Sequence, residues 1–125
     1  MRYLGIDYGG KRVGIALTDE GGRMAFPYGI MINDAKIFSR IRELCEKETV
    51  GKIILGLPLD LQGRETAMTK EVRDFGSKLR EETGLEIILQ NEMLSTKEAE
   101  HIQGRNAKID ASAAALILDS YLKKG

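Results

Sequence analysis

The amino-acid sequence predicts an α/β fold, a mixed β-sheet flanked by helices, and three observations lead to this class. The start of the chain holds three short β-prone runs separated by glycine pairs, which is typical of an antiparallel meander. The rest alternates between helical and strand periodicity, which favours βα units with parallel strands and right-handed crossovers. Finally, 125 residues with 42% apolar side chains suit a single domain that spans residues 1–125.

Three strands are predicted before the first helix. Residues 2–8 form a short apolar run, and residues 12–18 continue as the second strand of a hairpin. Residues 23–31 form the third strand. Pro27 places this strand at an edge of the sheet, where a missing backbone N–H costs no ladder bond.

The middle of the chain alternates between helix and strand. Apolar residues at helical spacing predict an amphipathic helix over residues 34–48, and residues 52–57 form a buried strand that stops at Pro58. A second helix is predicted over residues 65–82, with Gly84 as a natural C-cap. The apolar stripe of that helix consists of Met68, Val72, Phe75 and Leu79.

The last part of the chain carries one more strand and two helices. Residues 85–89 are an apolar strand, and a capping box that begins at Ser95 opens a short helix to about Ile102. A final alanine-rich helix is predicted from Asp110 to about Leu122. The predicted order of elements is therefore β β β α β α β α α.

Three acidic residues stand at the predicted ends of these elements. Asp7 lies in an apolar strand, so it either begins the glycine turn or meets a cation. Asp110 is either an N-cap or a ligand, and Glu92 is either a solvated loop acid or a ligand beyond the strand that ends near Leu89. Together these carboxylates predict a catalytic Mg²⁺ or Mn²⁺ site formed by Asp7, Glu92 and Asp110.

Glycine and basic residues near these acids are candidate nucleic-acid contacts. A glycine turn lets a phosphate approach the backbone, and lysine and arginine side chains neutralise its charge. A hairpin with a solvated tip is the competing interpretation of the first glycine turn. The candidate contacts are Gly9, Lys11, Arg12, Arg64, Arg105 and Lys108.

The composition excludes several classes of protein. Basic and acidic residues number 19 each, so any nucleic-acid contact has to be a local patch and not bulk charge. The single cysteine, Cys45, lies on an apolar helical stripe and is predicted to be a core residue. The single histidine, His101, lacks the partners that a zinc site or a catalytic triad needs. Since no apolar run approaches the roughly 20 residues of a membrane span, and no signal peptide is evident, a cytoplasmic protein is expected.

Two motifs are specific enough to suggest a family. Residues 5–16 read Gly-Ile-Asp-Tyr-Gly-Gly-Lys-Arg-Val-Gly-Ile-Ala, and residues 56–59 read Gly-Leu-Pro-Leu, followed by Gly63. Matching residues continue at 72–75 and 109–114. This pattern resembles the YqgF family over essentially the whole chain. Its members are described as Holliday-junction-resolvase-like proteins and pre-16S rRNA nucleases.

The resemblance implies an RNase H-like fold with a five-stranded mixed sheet and a divalent-metal carboxylate site. Asp7 matches the strand-one aspartate of the family and Asp110 matches its C-terminal helix aspartate. Glu92 lies in a motif that usually reads Asp-Glu-Arg-Leu-Thr-Thr, and here Asn91 and Met93 replace its aspartate and arginine. If those two side chains hold metal or phosphate in the family, this chain should have reduced activity.

The leading hypothesis is a Mg²⁺- or Mn²⁺-dependent nuclease that hydrolyses phosphodiester bonds in structured nucleic acid. The resemblance implies 5′-end processing of pre-16S rRNA during ribosome biogenesis, with the small ribosomal subunit as a partner. The protein is expected to be a monomer or weak dimer. Two alternatives are a weakly active or inactive nucleic-acid- or ribosome-binding module, and a Holliday-junction-resolvase-like enzyme acting on branched DNA. A nucleotide phosphotransferase of the actin-like kind is disfavoured, because those enzymes close two domains around a nucleotide and 125 residues supply one.

Overall fold

The centre of the computed structural model is a five-stranded mixed sheet, and the structure describes residues 1–93 and 107–124. The strand order is β3–β2–β1–β4–β5. The first three strands form an antiparallel meander, whereas β4 and β5 run parallel to β1. Both predicted features of the sheet are therefore confirmed. The strands are β1 (Arg2–Asp7), β2 (Arg12–Thr18), β3 (Ala25–Ile32), β4 (Val50–Leu59) and β5 (Glu86–Met93).

Helices cover both faces of the sheet. On one face, α1 (Ile37–Lys47) and α2 (Ala67–Thr83) bury their apolar stripes against β1, β2 and β4. On the other face, α3 (Ala107–Lys123) packs across the sheet, with Ala114, Ile117 and Leu118 at the contact. No helix within the described residues is both long and apolar enough to cross a membrane.

The predicted position of β3 at an edge is confirmed, and so is the role of Cys45 in the core. Within the part of the chain that the structure describes, β3 pairs only with β2, and the register between the two strands shifts near Pro27. Cys45 is buried among the apolar residues beneath α1, and this burial raises the pKa of its thiol to about 12. The thiol is therefore a packing element, as expected for a cysteine on an apolar helical stripe.

The stripe predicted for α2 is wrong at its first residue. Met68 is 43% exposed, and the buried position is taken by Thr69. Thr69 belongs there because its hydroxyl completes the capping box with Thr66 and donates a hydrogen bond of 2.5 Å to the Pro58 carbonyl. At the other end, Gly84 is the predicted C-cap, in the left-handed conformation with φ 71°.

Two strands extend further than predicted. β4 continues through Pro58 to Leu59, and β5 continues to Met93, so that Glu92 lies in a strand and not in a loop. The pairing of β1 with β4 ends where Ile6 pairs with Leu55. Beyond that level, β4 is an edge on one side and tolerates a proline. The pairing of β4 with β5 runs from Lys52 with Glu86 to Leu59 with Met93.

The last helix also begins earlier than predicted. It starts at Ala107, so Asp110 is its fourth residue and not its N-cap. The short helix predicted from Ser95 to about Ile102 lies outside the described residues. The other predicted elements agree with the structure to within about three residues at each end.

Candidate metal and nucleic-acid site

Two of the three predicted carboxylates lie on the same face of the sheet. Asp7 ends β1 and alternates in phase with Gly5, against which α3 packs. Glu92, near the end of β5, is in phase with Ile88, which belongs to the cluster beneath α3. Both side chains therefore face the α3 side, and each takes part in an interaction within the protein.

The register shows how far apart these two residues are. Ile6 pairs with Leu55, and Glu92 pairs with Pro58, so Glu92 lies two strand spacings across from Asp7 and about two residues further along. With ordinary strand geometry this separates their Cα atoms by about 12 Å. Only if extended toward each other would an aspartate and a glutamate side chain span such a gap, so the spacing is compatible with a shared divalent cation.

The direction of α3 places Asp110 at the same end of the sheet. The ring of Tyr121, near the end of α3, contacts the ring of Tyr3 at the start of β1, with 5.9 Å between their centroids. Ala114 and Leu118 lie over Gly5, further along that strand. Since α3 runs opposite to β1, its first turn, which contains Asp110, lies above the carboxyl end of β1.

Close packing of α3 depends on two glycines. A Cβ atom on Gly5 would lie 3.0 Å from the Ala114 carbonyl oxygen and 3.0 Å from the Leu118 Cβ. A Cβ on Gly56 would lie 2.5 Å from the Ile117 Cδ1. The absence of side chains on β1 and β4 thus sets the height of α3, and with it the height of Asp110, above the sheet.

The donor set suits a hard divalent cation. Asp7, Glu92 and Asp110 offer only carboxylate oxygens, which Mg²⁺ and Mn²⁺ prefer. Among the described residues, no three histidine, cysteine, aspartate or glutamate side chains form a ready-made metal-binding group. The candidate site therefore depends on Asp110 joining the pair on the strands, and it stays a prediction.

The glycine turn after Asp7 is held by a residue that sequence analysis missed. Asn33 donates from its side-chain amide to the Gly9 carbonyl at 2.8 Å and from its backbone N–H to the Lys11 carbonyl at 2.9 Å. A Cβ on Gly9 would collide with the Arg12 carbonyl oxygen. The turn is thus a fixed structure, and its tip presents the exposed Lys11 and Arg12. In the sequence, the one signal of this role was an asparagine directly after a strand.

Tyr8 ties the same end of β1 to α2. Its hydroxyl donates to a Glu71 carboxylate oxygen at 2.7 Å, and its ring packs against Phe75 with 4.8 Å between centroids. Burial and the hydrogen bond to Glu71 raise the pKa of Tyr8, so the tyrosine stays a neutral donor. This contact anchors the strand end that carries Asp7 from the face opposite α3.

The loop after β4, residues 60–64, is closed by its own hydrogen bonds. The Asp60 carboxylate accepts from the backbone N–H groups of Gln62 at 2.9 Å and Arg64 at 2.8 Å, and from the Arg64 Nε at 3.2 Å. These donors lower the pKa of Asp60, the Arg64 backbone N–H most of all. Arg64, predicted as a phosphate contact, is thus already paired, which favours a structural role.

Of the two other predicted cations, only Lys108 falls within the described residues. Lys108 is in the first turn of α3, close in sequence to Asp110. Arg105 lies outside the described residues, as does His101.

The family motif that differs here is split between the two faces of the sheet. Asn91 alternates in phase with Ile87 and Leu89, which pack against the core beneath α1 and α2. Glu92 faces the opposite side. Loss of the aspartate at position 91 therefore removes no ligand from the face that carries Asp7 and Glu92.

The family model RuvX, described as Holliday junction resolvase, matches residues 1–124. The chain belongs to the RuvX family. This confirms the YqgF resemblance that the two sequence motifs indicated.

Relatives of similar length agree with this membership. A protein of Maridesulfovibrio salexigens is 38% identical, with 99% of each chain covered. One from Nitratidesulfovibrio vulgaris is 40% identical, covering 98% of this RuvX chain and 93% of the relative. Both are named as proposed pre-16S rRNA nucleases.

Solved structures show the same fold at low sequence identity. Thermus thermophilus RuvC is 16% identical with a TM-score of 0.61, covering 100% of this chain and 97% of RuvC. The fowlpox virus Holliday junction resolvase is 18% identical with a TM-score of 0.56, covering 100% of both chains. The predicted RNase H-like architecture is thereby confirmed for this RuvX chain.

Proposed function

We propose that this RuvX protein is a divalent-metal-dependent nuclease that hydrolyses phosphodiester bonds in structured nucleic acid, with the 5′ region of pre-16S rRNA as its substrate. One observation carries the proposal. Asp7 and Glu92 share one face at the carboxyl ends of β1 and β5, and α3 places Asp110 over that same end.

The residues present fit a metal-dependent reaction. The three carboxylates are the hard ligands that Mg²⁺ and Mn²⁺ require, and they come from three separate elements that the core fixes relative to one another. Asp7, Glu92 and Asp110 would hold divalent cations, and these would supply activation of a water molecule and stabilisation of the leaving oxygen in phosphodiester cleavage.

The chain's own groups bind and orient the nucleic-acid backbone. Lys11 and Arg12 project from a turn that Asn33 fixes, so their charges lie beside the carboxylate that ends β1. Cations here offset the repulsion between the carboxylates and the phosphates on either side of the scissile bond. Lys108 and Arg105 are proposed to contact the backbone from the side of Asp110.

The choice of pre-16S rRNA rests on the relatives. Proteins 38% and 40% identical over nearly their whole length carry that substrate in their names. Branched DNA is the competing substrate, because the family model is described as Holliday junction resolvase. Both substrates can be offered to the same protein, and the ratio of their cleavage rates decides between them.

The test is cleavage of a 5′-labelled RNA that spans the 16S precursor end, measured in Mn²⁺ and in Mg²⁺. Asp7→Asn and Glu92→Gln should each lower the rate about a hundredfold or more, because each removes a negatively charged ligand. The matched control is Glu86→Gln. Glu86 lies on β5, as Glu92 does, but pairs with Lys52 at 3.6 Å near the other end of the strand.

Two outcomes would contradict the proposal. Equal loss of activity in Glu86→Gln and Glu92→Gln would indicate damage to β5 and not to a metal site. Unchanged cleavage by Asp7→Asn, with melting temperatures equal to wild type, would show that the carboxylates do not carry the reaction.

A further inference from the structure

The loop of residues 60–64 lies at the centre of the proposed active edge. It follows β4, which is the strand between β1 and β5 in the sheet. The last pair of the β4–β5 ladder is Leu59 with Met93, one position beyond the pair that contains Glu92. The loop therefore projects beyond the sheet edge between the strands that carry Asp7 and Glu92.

Charged side chains in and beside this loop already have partners within the protein. Arg64 pairs with Asp60 at 3.2 Å, and its terminal nitrogen donates to the Gln62 side chain at 3.2 Å. Glu65, the next residue, forms a two-pronged ion pair with Arg73 at 3.0 and 2.8 Å. The loop is thus electrically balanced and poorly suited to binding a phosphate by charge.

Leu61 is the feature that the loop presents to solvent. Its side chain is 58% exposed, although the loop around it is closed by hydrogen bonds. The backbone N–H of Asp60 also donates to the Arg64 carbonyl at 3.0 Å, and that of Gly63 donates to the Asp60 carbonyl at 2.9 Å. Gly63 takes a left-handed conformation with φ 78°. Because the turn is already ordered, Leu61 can contact a ligand without a further entropic cost in the backbone.

An apolar side chain in this place matches one part of a nucleic acid. Phosphates and sugars are polar, whereas the faces of the bases are apolar, and leucine is among the residues that proteins insert between bases. In a structured RNA, unpaired or splayed bases at loops and ends expose these faces. Backbone contacts on either side would hold such a base against the tip of the loop.

We propose that Leu61 is a base-contacting residue that packs against an unstacked base beside the scissile bond and makes the enzyme prefer cleavage next to unpaired nucleotides. The inference rests on the proposed nuclease function and adds a specificity determinant to it. It also explains why the loop is closed by hydrogen bonds, since a side chain can hold a base unstacked only if the backbone that carries it does not move.

The test compares Leu61→Ala with Leu61→Met, which keeps an apolar side chain of similar volume. The probe is a hairpin RNA with one unpaired 2-aminopurine next to the cleavage position, and its fluorescence is measured without divalent metal. Wild type and Leu61→Met should raise the fluorescence by unstacking the base, whereas Leu61→Ala should not. With Mn²⁺, Leu61→Ala should cleave this RNA about tenfold more slowly.

The control is Leu116→Ala, since Leu116 is also an exposed leucine, at 67%, but lies on α3. It should behave as wild type in both measurements. Equal fluorescence and equal cleavage for wild type and Leu61→Ala would overturn the base contact and leave the nuclease standing. A wild-type protein that unstacks the base through Leu61 but does not cleave would overturn the nuclease and leave the contact standing.

Discussion

At the residue scale, Asn33 connects the sequence of the glycine turn to its proposed function. Lysine and arginine at the tip of a free hairpin would lose side-chain and backbone entropy on binding a phosphate. The two hydrogen bonds from Asn33 to the carbonyls of Gly9 and Lys11 fix the backbone beforehand. The order of the turn thus comes from a side chain 24 positions away in the chain.

Asn33→Ala should lower kcat/KM for the RNA about tenfold, because a turn without its side-chain hydrogen bond samples more conformations. Most of the loss should appear in KM, since Lys11 and Arg12 are proposed to bind phosphate and not to react. The control is Asp34→Ala, the neighbouring residue, whose carboxylate pairs with Arg40 at the surface. A loss of melting temperature in Asn33→Ala with unchanged kcat/KM would limit the asparagine to a structural role.

At the element scale, the decisive contact is that between α3 and β1. Gly5 lies under Ala114 and Leu118. A side chain at position 5 would keep the helix further from the strand. The same helix begins with the turn that contains Asp110. The spacing of two secondary-structure elements thus controls the distance between two proposed ligands that are 103 positions apart in the sequence.

Gly5→Ala should therefore weaken metal binding as well as stability. Its new methyl group would force α3 to move by a few tenths of an ångström, which we expect to cost about 1–3 kcal/mol of unfolding free energy. The concentration of Mn²⁺ that gives half-maximal cleavage should rise, because Asp110 moves with the helix.

The matched control for this change is Gly29→Ala in β3, where a Cβ atom would have nothing within 4 Å. It should leave both the melting temperature and the Mn²⁺ dependence close to wild type. If Gly5→Ala unfolds at a lower temperature but needs no more Mn²⁺, then α3 does not position a metal ligand.

Most elements could be predicted from local sequence, and their ends show where local information fails. The period of buried residues marks each helix and strand, because one face of each element meets the core. The extension of β4 through Pro58, and of β5 to Met93, depends on the two strands pairing with each other, which no local pattern encodes. The interactions of Asn33 and Arg64 were missed because they join side chains to loops whose shapes are set only by the fold.

At the scale of the whole molecule, the formal net charge is zero, so nucleic-acid binding has to depend on a local patch of basic residues. Arg64, 72% exposed by side chain, pairs with Asp60 within its loop, and we propose that it is not part of that patch. The proposed phosphate contacts are then Lys11, Arg12, Arg105 and Lys108. Four contacts to RNA predict that the logarithm of the binding constant falls with the logarithm of salt concentration with a slope of about −3.

This slope separates cations that bind phosphate from cations that build the fold. Lys11→Ala should reduce its magnitude by about 0.7–0.9, because one fewer counterion is released on binding. Arg64→Ala should leave the slope unchanged, and any loss of affinity should be the same at every salt concentration, as expected when a loop is disturbed and no charge contact is removed. Fluorescence anisotropy of a labelled RNA between 50 and 200 mM KCl measures both variants. If Arg64→Ala changes the slope as much as Lys11→Ala does, the arginine leaves Asp60 to bind phosphate and the balanced loop is part of the patch.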